Sequence, residues 1–102
     1  MAFHLTFRWG NSESNVDVDR MVAALGELDA HDQEHPDVSL THESEWSLSV
    51  FESGLLVWEN LESGEPRHMK GVSRNEVLRL WIALSRGELS LIETEAWLPG
   101  YG

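Results

Sequence analysis

His31 and His35 stand four residues apart, with Asp32, Glu34 and Asp37 between and beside them. On a helix that spacing puts both imidazoles on one face, as a histidine pair holding a metal ion requires. The stretch lacks the His-Glu-x-x-His order, and Pro36 bars helix continuation. These residues therefore read as a solvated, charged connection, and no metal is expected there. Carboxylates crowd the same region, from Asp29 to Glu45, and return at Glu52, Glu59, Glu62 and Glu65. Paired carboxylates can serve as acid and base. That work needs a cleft and displaced pKa values, whereas these positions fall in turns and connections. His68, between Arg67 and Met69, has nothing beside it to make it a base, and reads as a hydrogen-bonded structural histidine. The chain contains no G-x-S-x-G elbow and no glycine-rich phosphate loop. No catalytic residue and no cofactor is assigned. An enzyme, such as a small hydrolase or transferase, is the third choice behind two binding functions.

Taken singly, each carboxylate is a solvated surface group. Taken together, they need an explanation. Eighteen acidic residues against seven basic ones give a net charge of −11 in 102 residues. Like charges at that density weaken the compact state by self-repulsion, and their long-range field attracts a cationic partner and repels nucleic acid. Arg8, Arg20, Arg67, Lys70, Arg74, Arg79 and Arg86 are scattered and form no stripe for phosphates, which argues against direct nucleic-acid binding. There is no cysteine, so disulfide scaffolds and thiolate chemistry are excluded. The N-terminus lacks the basic start and apolar run of a signal peptide, and Gly54 to Trp58 is far too short to span a bilayer. A cytoplasmic protein without membrane contact is expected, and the opening Met1 suits a whole gene product.

The elements that must position these residues follow from periodicity. Phe3, Leu5, Phe7 and Trp9 alternate, which predicts a strand with one buried face. Gly10 to Asn15 reads as a polar loop. Val16 to about Asp29 has the helical repeat Val18, Met21, Val22, Leu25 and Leu28, with Asn15 as its expected N-cap. Three strands follow: one around Val38, Leu40 and His42, one around Trp46, Leu48 and Val50, and an apolar run from Leu55 to Trp58. Ser53-Gly54 is a tight hairpin turn, and Glu62 to Pro66 is a second turn leading to a short strand near Arg67 to Lys70. Ser73 and Glu76 form a capping box for a helix that runs to Arg86 and stops at Gly87. The order β-α-β-β-β-(β)-α implies one two-layer α+β domain, with an antiparallel sheet of four to five strands and two helices on one face.

Trp9, Trp46 and Trp81 fall in phase with apolar neighbours and are core candidates. Trp58 and Phe51 are ambiguous, because Val57 and Val50 beside them face the other way. A sheet face carrying Phe51 and Trp58, ringed by Glu52 and Glu59, would be an aromatic anchor in an acidic rim, the composition of a binding hot spot. The expected partner-binding set is therefore Asp29, Asp32, Glu34, Asp37, Glu43, Glu45, Phe51, Glu52, Trp58, Glu59 and Glu62.

Four segments carry a family resemblance. They are Ser53-Gly54-Leu55-Leu56-Val57-Trp58-Glu59-Asn60, Pro66-Arg67-His68-Met69, Leu80-Trp81-Ile82-Ala83-Leu84 with Gly87, and Trp97-Leu98-Pro99-Gly100-Tyr101-Gly102. In these, about the last half of the chain, the sequence resembles bacterial immunity proteins of polymorphic toxin systems. The resemblance implies stoichiometric inhibition: the protein binds a cognate toxin effector domain and occludes its active site. It transfers no catalytic residue and leaves the toxin's activity open. The alternative is an acidic nucleic-acid mimic of the anti-CRISPR or anti-restriction type, whose carboxylates stand in for phosphates in a basic DNA channel. A mimic calls for regularly spaced carboxylates, whereas these cluster in loops.

Overall fold

The computed structural model describes residues 2–34 and 37–102. Its strands are β1 (Phe3–Thr6), β2 (Ser12–Ser14), β3 (Asp37–His42), β4 (Trp46–Phe51), β5 (Leu56–Asn60), β6 (Gly64–Met69) and β7 (Leu98–Pro99). Its helices are α1 (Val18–Gly26), α2 (Arg74–Ser85) and α3 (Leu89–Glu93). The seven strands form one antiparallel sheet in the order β2-β1-β3-β4-β5-β6-β7. The α+β class is as expected, but the sheet is larger than four to five strands and there are three helices. The two additions are edge strands. Ser12-Glu13-Ser14 lies in the stretch read as a loop, because it has no apolar alternation. It pairs with β1 through its backbone. Leu98-Pro99 pairs with β6, where an edge position tolerates the missing N–H of proline. Short edges of this kind resist sheet-to-sheet aggregation.

The local signals explain the boundaries. Asp17, not Asn15, caps α1, its Oδ1 accepting the Arg20 N–H at 3.0 Å. Asn15 instead turns the chain at φ 51°, with its side chain accepting the Phe3 N–H at 3.1 Å. Ser73 caps α2 as expected, its hydroxyl accepting the Glu76 N–H at 3.2 Å. Gly87 ends that helix at φ 71°, where the Glu88 N–H reaches back to the Ala83 carbonyl at 3.0 Å, a Schellman closure.

The registers assign the faces. Val38 pairs with Val50, Leu40 with Leu48, Leu48 with Trp58, and Val50 with Leu56. Directly paired residues share a face, so all of these point one way. Helix residues Met21, Leu25, Val77, Leu80, Trp81, Leu84 and Ile92 close over them in a single buried cluster. Trp81 joins the layers, donating its indole N–H to the Leu48 carbonyl at 3.1 Å.

Two tryptophans depart from expectation. Trp9 is 58% exposed. The alternation holds through buried Phe7 and then breaks, where the chain turns and the Gly10 N–H bonds the Phe7 carbonyl at 3.0 Å. Trp46 sits half-buried at the core's edge.

Candidate functional site

The opposite sheet face carries no helix. Its strand residues, read from the registers, are Ser12 and Ser14, His4 and Thr6, Asp37, Ser39 and Thr41, Ser47, Ser49 and Phe51, Val57 and Glu59, and then His68 and Leu98. No lysine or arginine is among them. Hydroxyls dominate the middle, and they pair across strands: Thr41 Oγ1 lies 3.0 Å from Ser47 Oγ, and Thr6 Oγ1 lies 3.0 Å from Ser12 Oγ. The chain's C-terminus lies along one border of this face. His68 Nδ1 is 3.0 Å from the Gly100 carbonyl, and Tyr101 donates its hydroxyl to Glu59 Oε2 at 2.7 Å. That carboxylate pushes the Tyr101 phenol above its ordinary pKa. Tyr101 is 60% exposed and Leu98 54% exposed.

The expected partner-binding residues do not form one patch. The antiparallel registers send the β3–β4 and β5–β6 turns to one end of the sheet. Glu43, Glu45 and Glu62 stand exposed there. The two turns are cross-linked: the Leu61 N–H bonds the Glu45 carbonyl at 2.9 Å, and Asn60 Nδ2 donates to the Ser44 carbonyl at 3.2 Å. Glu45 is held at φ 73°. Asp29, Asp32, Glu34 and Glu52 lie at the other end, about 17 Å away for a six-residue strand. The turns and loops thus split the carboxylates, and the sheet face lies between the two groups. His35 and Pro36 fall outside the described residues.

Trp58 and Phe51 point to opposite faces, because Leu48, not Ser49, opposes Trp58. Trp58 is fully buried among the helices, so it is corrected from anchor to core. Its indole stacks on Trp46 at 4.4 Å between centroids and on Trp97 at 6.3 Å. Its N–H donates to Glu93 Oε1 at 3.0 Å. Glu93 is clamped by both Arg67 guanidinium nitrogens at 2.7 Å. Arg67, then the Trp58 N–H, hold the Glu93 carboxyl below the usual carboxylate range. Phe51 remains on the uncovered face, half-buried beside Asp37.

Glu52 is also reassigned. It is an internal counterion. Arg8, whose side chain is fully enclosed, donates to Glu52 Oε1 at 2.7 Å. The same guanidinium donates to the carbonyls of Glu27, Ala30 and Asp32. The Asp32 N–H, at 2.8 Å, and then Arg8 hold the Glu52 carboxyl below its ordinary pKa. Sequence reasoning missed Arg8. A cation directly after the apolar alternation Phe3-Leu5-Phe7 was the available signal that it is enclosed. Exposed His31 has Nδ1 3.3 Å from Glu52 Oε2. Among the described residues, no group of three or more histidines and carboxylates is placed to hold a metal ion, and no helix is long and apolar enough to cross a membrane.

The fold uses most of its cations on itself. Arg8, Arg20, Arg67, Arg74 and Arg79 all pair with carboxylates: Glu52, Glu13, Glu93, Asp29, and Glu76 with Glu95. Glu34, Asp37, Glu43, Glu45, Glu59 and Glu62 have no such cation among the described residues. Asp37 lies on the uncovered face, where burial pushes its carboxyl above the ordinary value. No family model, curated protein or solved structure matches the chain.

Proposed function

We propose that the protein is a stoichiometric neutraliser that binds a basic partner domain, a cognate bacterial toxin effector, and occludes its active site. The observation that carries this reading is the distribution of charge. Five of the seven cations are consumed by internal pairs, so the carboxylates left at both ends of the sheet project an almost uncompensated negative field. Such a field speeds encounter with a cationic surface and is screened over about 8–10 Å at ordinary salt. The split of the carboxylates into two end groups favours a protein partner over DNA mimicry, which calls for an evenly spaced stripe.

Co-expression with the product of the neighbouring gene tests the reading. A complex that co-purifies, with an association rate falling at least about tenfold from low to physiological salt, is the expected result. A neighbour that does not bind, or an association rate indifferent to salt, overturns it.

A further inference from the structure

The two carboxylates on the uncovered face itself, Asp37 and Glu59, each have an aromatic neighbour. Asp37 pairs directly with Phe51 across β3 and β4. Glu59 accepts the Tyr101 hydroxyl at 2.7 Å. From Phe51, beside Asp37, to Ser47, opposite Glu59, is four residues along β4. With two strands crossed, the carboxylates stand about 16 Å apart on the diagonal. The ground between them presents the half-buried Ser39 and Ser49, short side chains with little rotamer entropy to lose on contact, beside Thr41 and Ser47, which are buried and bonded to each other. Interfaces deplete charge at their centres, and carboxylate–aromatic pairs receive cationic side chains well.

We infer that this face is the docking surface for a basic protein that sets two cationic side chains about 16 Å apart, one on Asp37 beside Phe51 and one on Glu59 beside Tyr101, across a neutral, hydroxyl-rich contact. The inference rests on the proposed function and adds where and how the partner sits. Charge complementarity selects the occupant. A second copy of this chain would bring the same carboxylates and no lysine or arginine from this face. The raised pKa of Asp37 is in keeping, since a partner cation would relieve the cost of holding that carboxylate half out of water.

Two synthetic peptides of identical composition test it by titration at low ionic strength. One has two arginines, a glycine–serine spacer of about six residues, able to reach about 20 Å, and two more arginines. The other carries the same spacer at one end of four contiguous arginines, whose end Cα atoms lie at most about 10 Å apart. The spaced peptide should bind about tenfold tighter, because its second contact becomes intramolecular. The double variant Asp37→Asn/Glu59→Gln should erase that advantage. The charge-matched control Asp19→Asn/Glu88→Gln, in exposed residues of the helical side, should keep it. Equal binding of the two peptides overturns two-point docking while leaving the cationic-partner reading standing. An advantage that survives in the Asp37/Glu59 variant overturns the assignment to this face. Failure of both peptides to bind overturns both readings.

Discussion

Replacing Trp58 by alanine tests the core assignment most directly. Trp58 has no exposed surface, lies between Trp46 and Trp97, and holds Glu93 through its indole N–H. Large-to-small substitution of a buried tryptophan costs roughly 3–5 kcal/mol in lost transfer energy and residual cavity. The stack with Trp46, at 4.4 Å and 14°, adds about 0.5–1.5 kcal/mol beyond area. These contributions overlap, so about 5 kcal/mol is expected for Trp58→Ala. That is a third or more of the stability of an ordinary small domain, about 5–15 kcal/mol. At about 4–8 °C per kcal/mol, the melting temperature should fall by about 20 °C or more, if the variant folds at all. Trp58→Phe keeps most of the ring and loses the Glu93 bond, and should cost only about 1–3 kcal/mol. Thermal melts followed by circular dichroism, with the off-rate from the basic partner measured on Trp58→Phe, complete the test. A melt for Trp58→Ala within a few degrees of the parent would refute the burial argument. A faster off-rate for Trp58→Phe, with its fold intact, would return Trp58 to the interface.

Arg8→Met should cost about 3–5 kcal/mol, because it strips a buried cation from Glu52 and leaves three loop carbonyls without their donor. Hydrogen exchange should show the loss first at the amides of residues 27–32. Asp37→Asn should raise the melting temperature at pH 7. The sign follows from the raised folded pKa. Ionised Asp37 is worse off folded than unfolded, so the penalty is complete above the folded pKa and absent below the unfolded value of about 3.9. The gain should vanish near pH 3. Glu52 and Glu93 act oppositely. Their lowered pKa values give stability that is present above the unfolded value of about 4.3 and lost as pH falls through the folded values. Acid melts of Glu52→Gln should therefore converge on those of the parent at low pH, and a constant gap would refute the assignment.

What was legible in the sequence was what local chemistry determines. Ser73 and Gly87 mark the ends of α2 because a hydroxyl and a left-handed residue meet needs that exist within one turn. Gly54 marks the β4–β5 hairpin for the same reason, at φ 86°. The edge strands were illegible because pairing to an edge uses backbone groups alone, and Ser12-Glu13-Ser14 and Leu98-Pro99 carry no side-chain periodicity. The partners of Arg8 were illegible because they are carbonyls up to 24 residues away and a carboxylate 44 residues away, which no spacing rule anticipates. The sequence alone does not separate Phe51 from Trp58, because face parity across a hairpin depends on its register. Pairing Val50 with Leu56 sends Trp58 inward and leaves Phe51 outside.

That last correction alters the physical picture of the site. With Trp58 removed, no large apolar side chain remains in the centre of the uncovered face, and Phe51 and Tyr101 sit towards opposite corners. An interface there would draw little affinity from a buried central anchor. It would depend on two carboxylates, Asp37 and Glu59, whose separation is fixed by strand geometry, with Phe51 beside the first on β4 and Tyr101 reaching the second from the tail after β7. The carboxylates in the turns beyond, Glu43, Glu45 and Glu62 at one end and Glu34 at the other, would act earlier, on the rate of encounter. The two roles separate experimentally. Neutralising Glu43, Glu45 and Glu62 together should slow association and flatten its salt dependence with little change in off-rate. Neutralising Asp37 and Glu59 should chiefly hasten dissociation. If both sets changed only the association rate, the face would be acting through its field alone and the two-corner contact would be refuted.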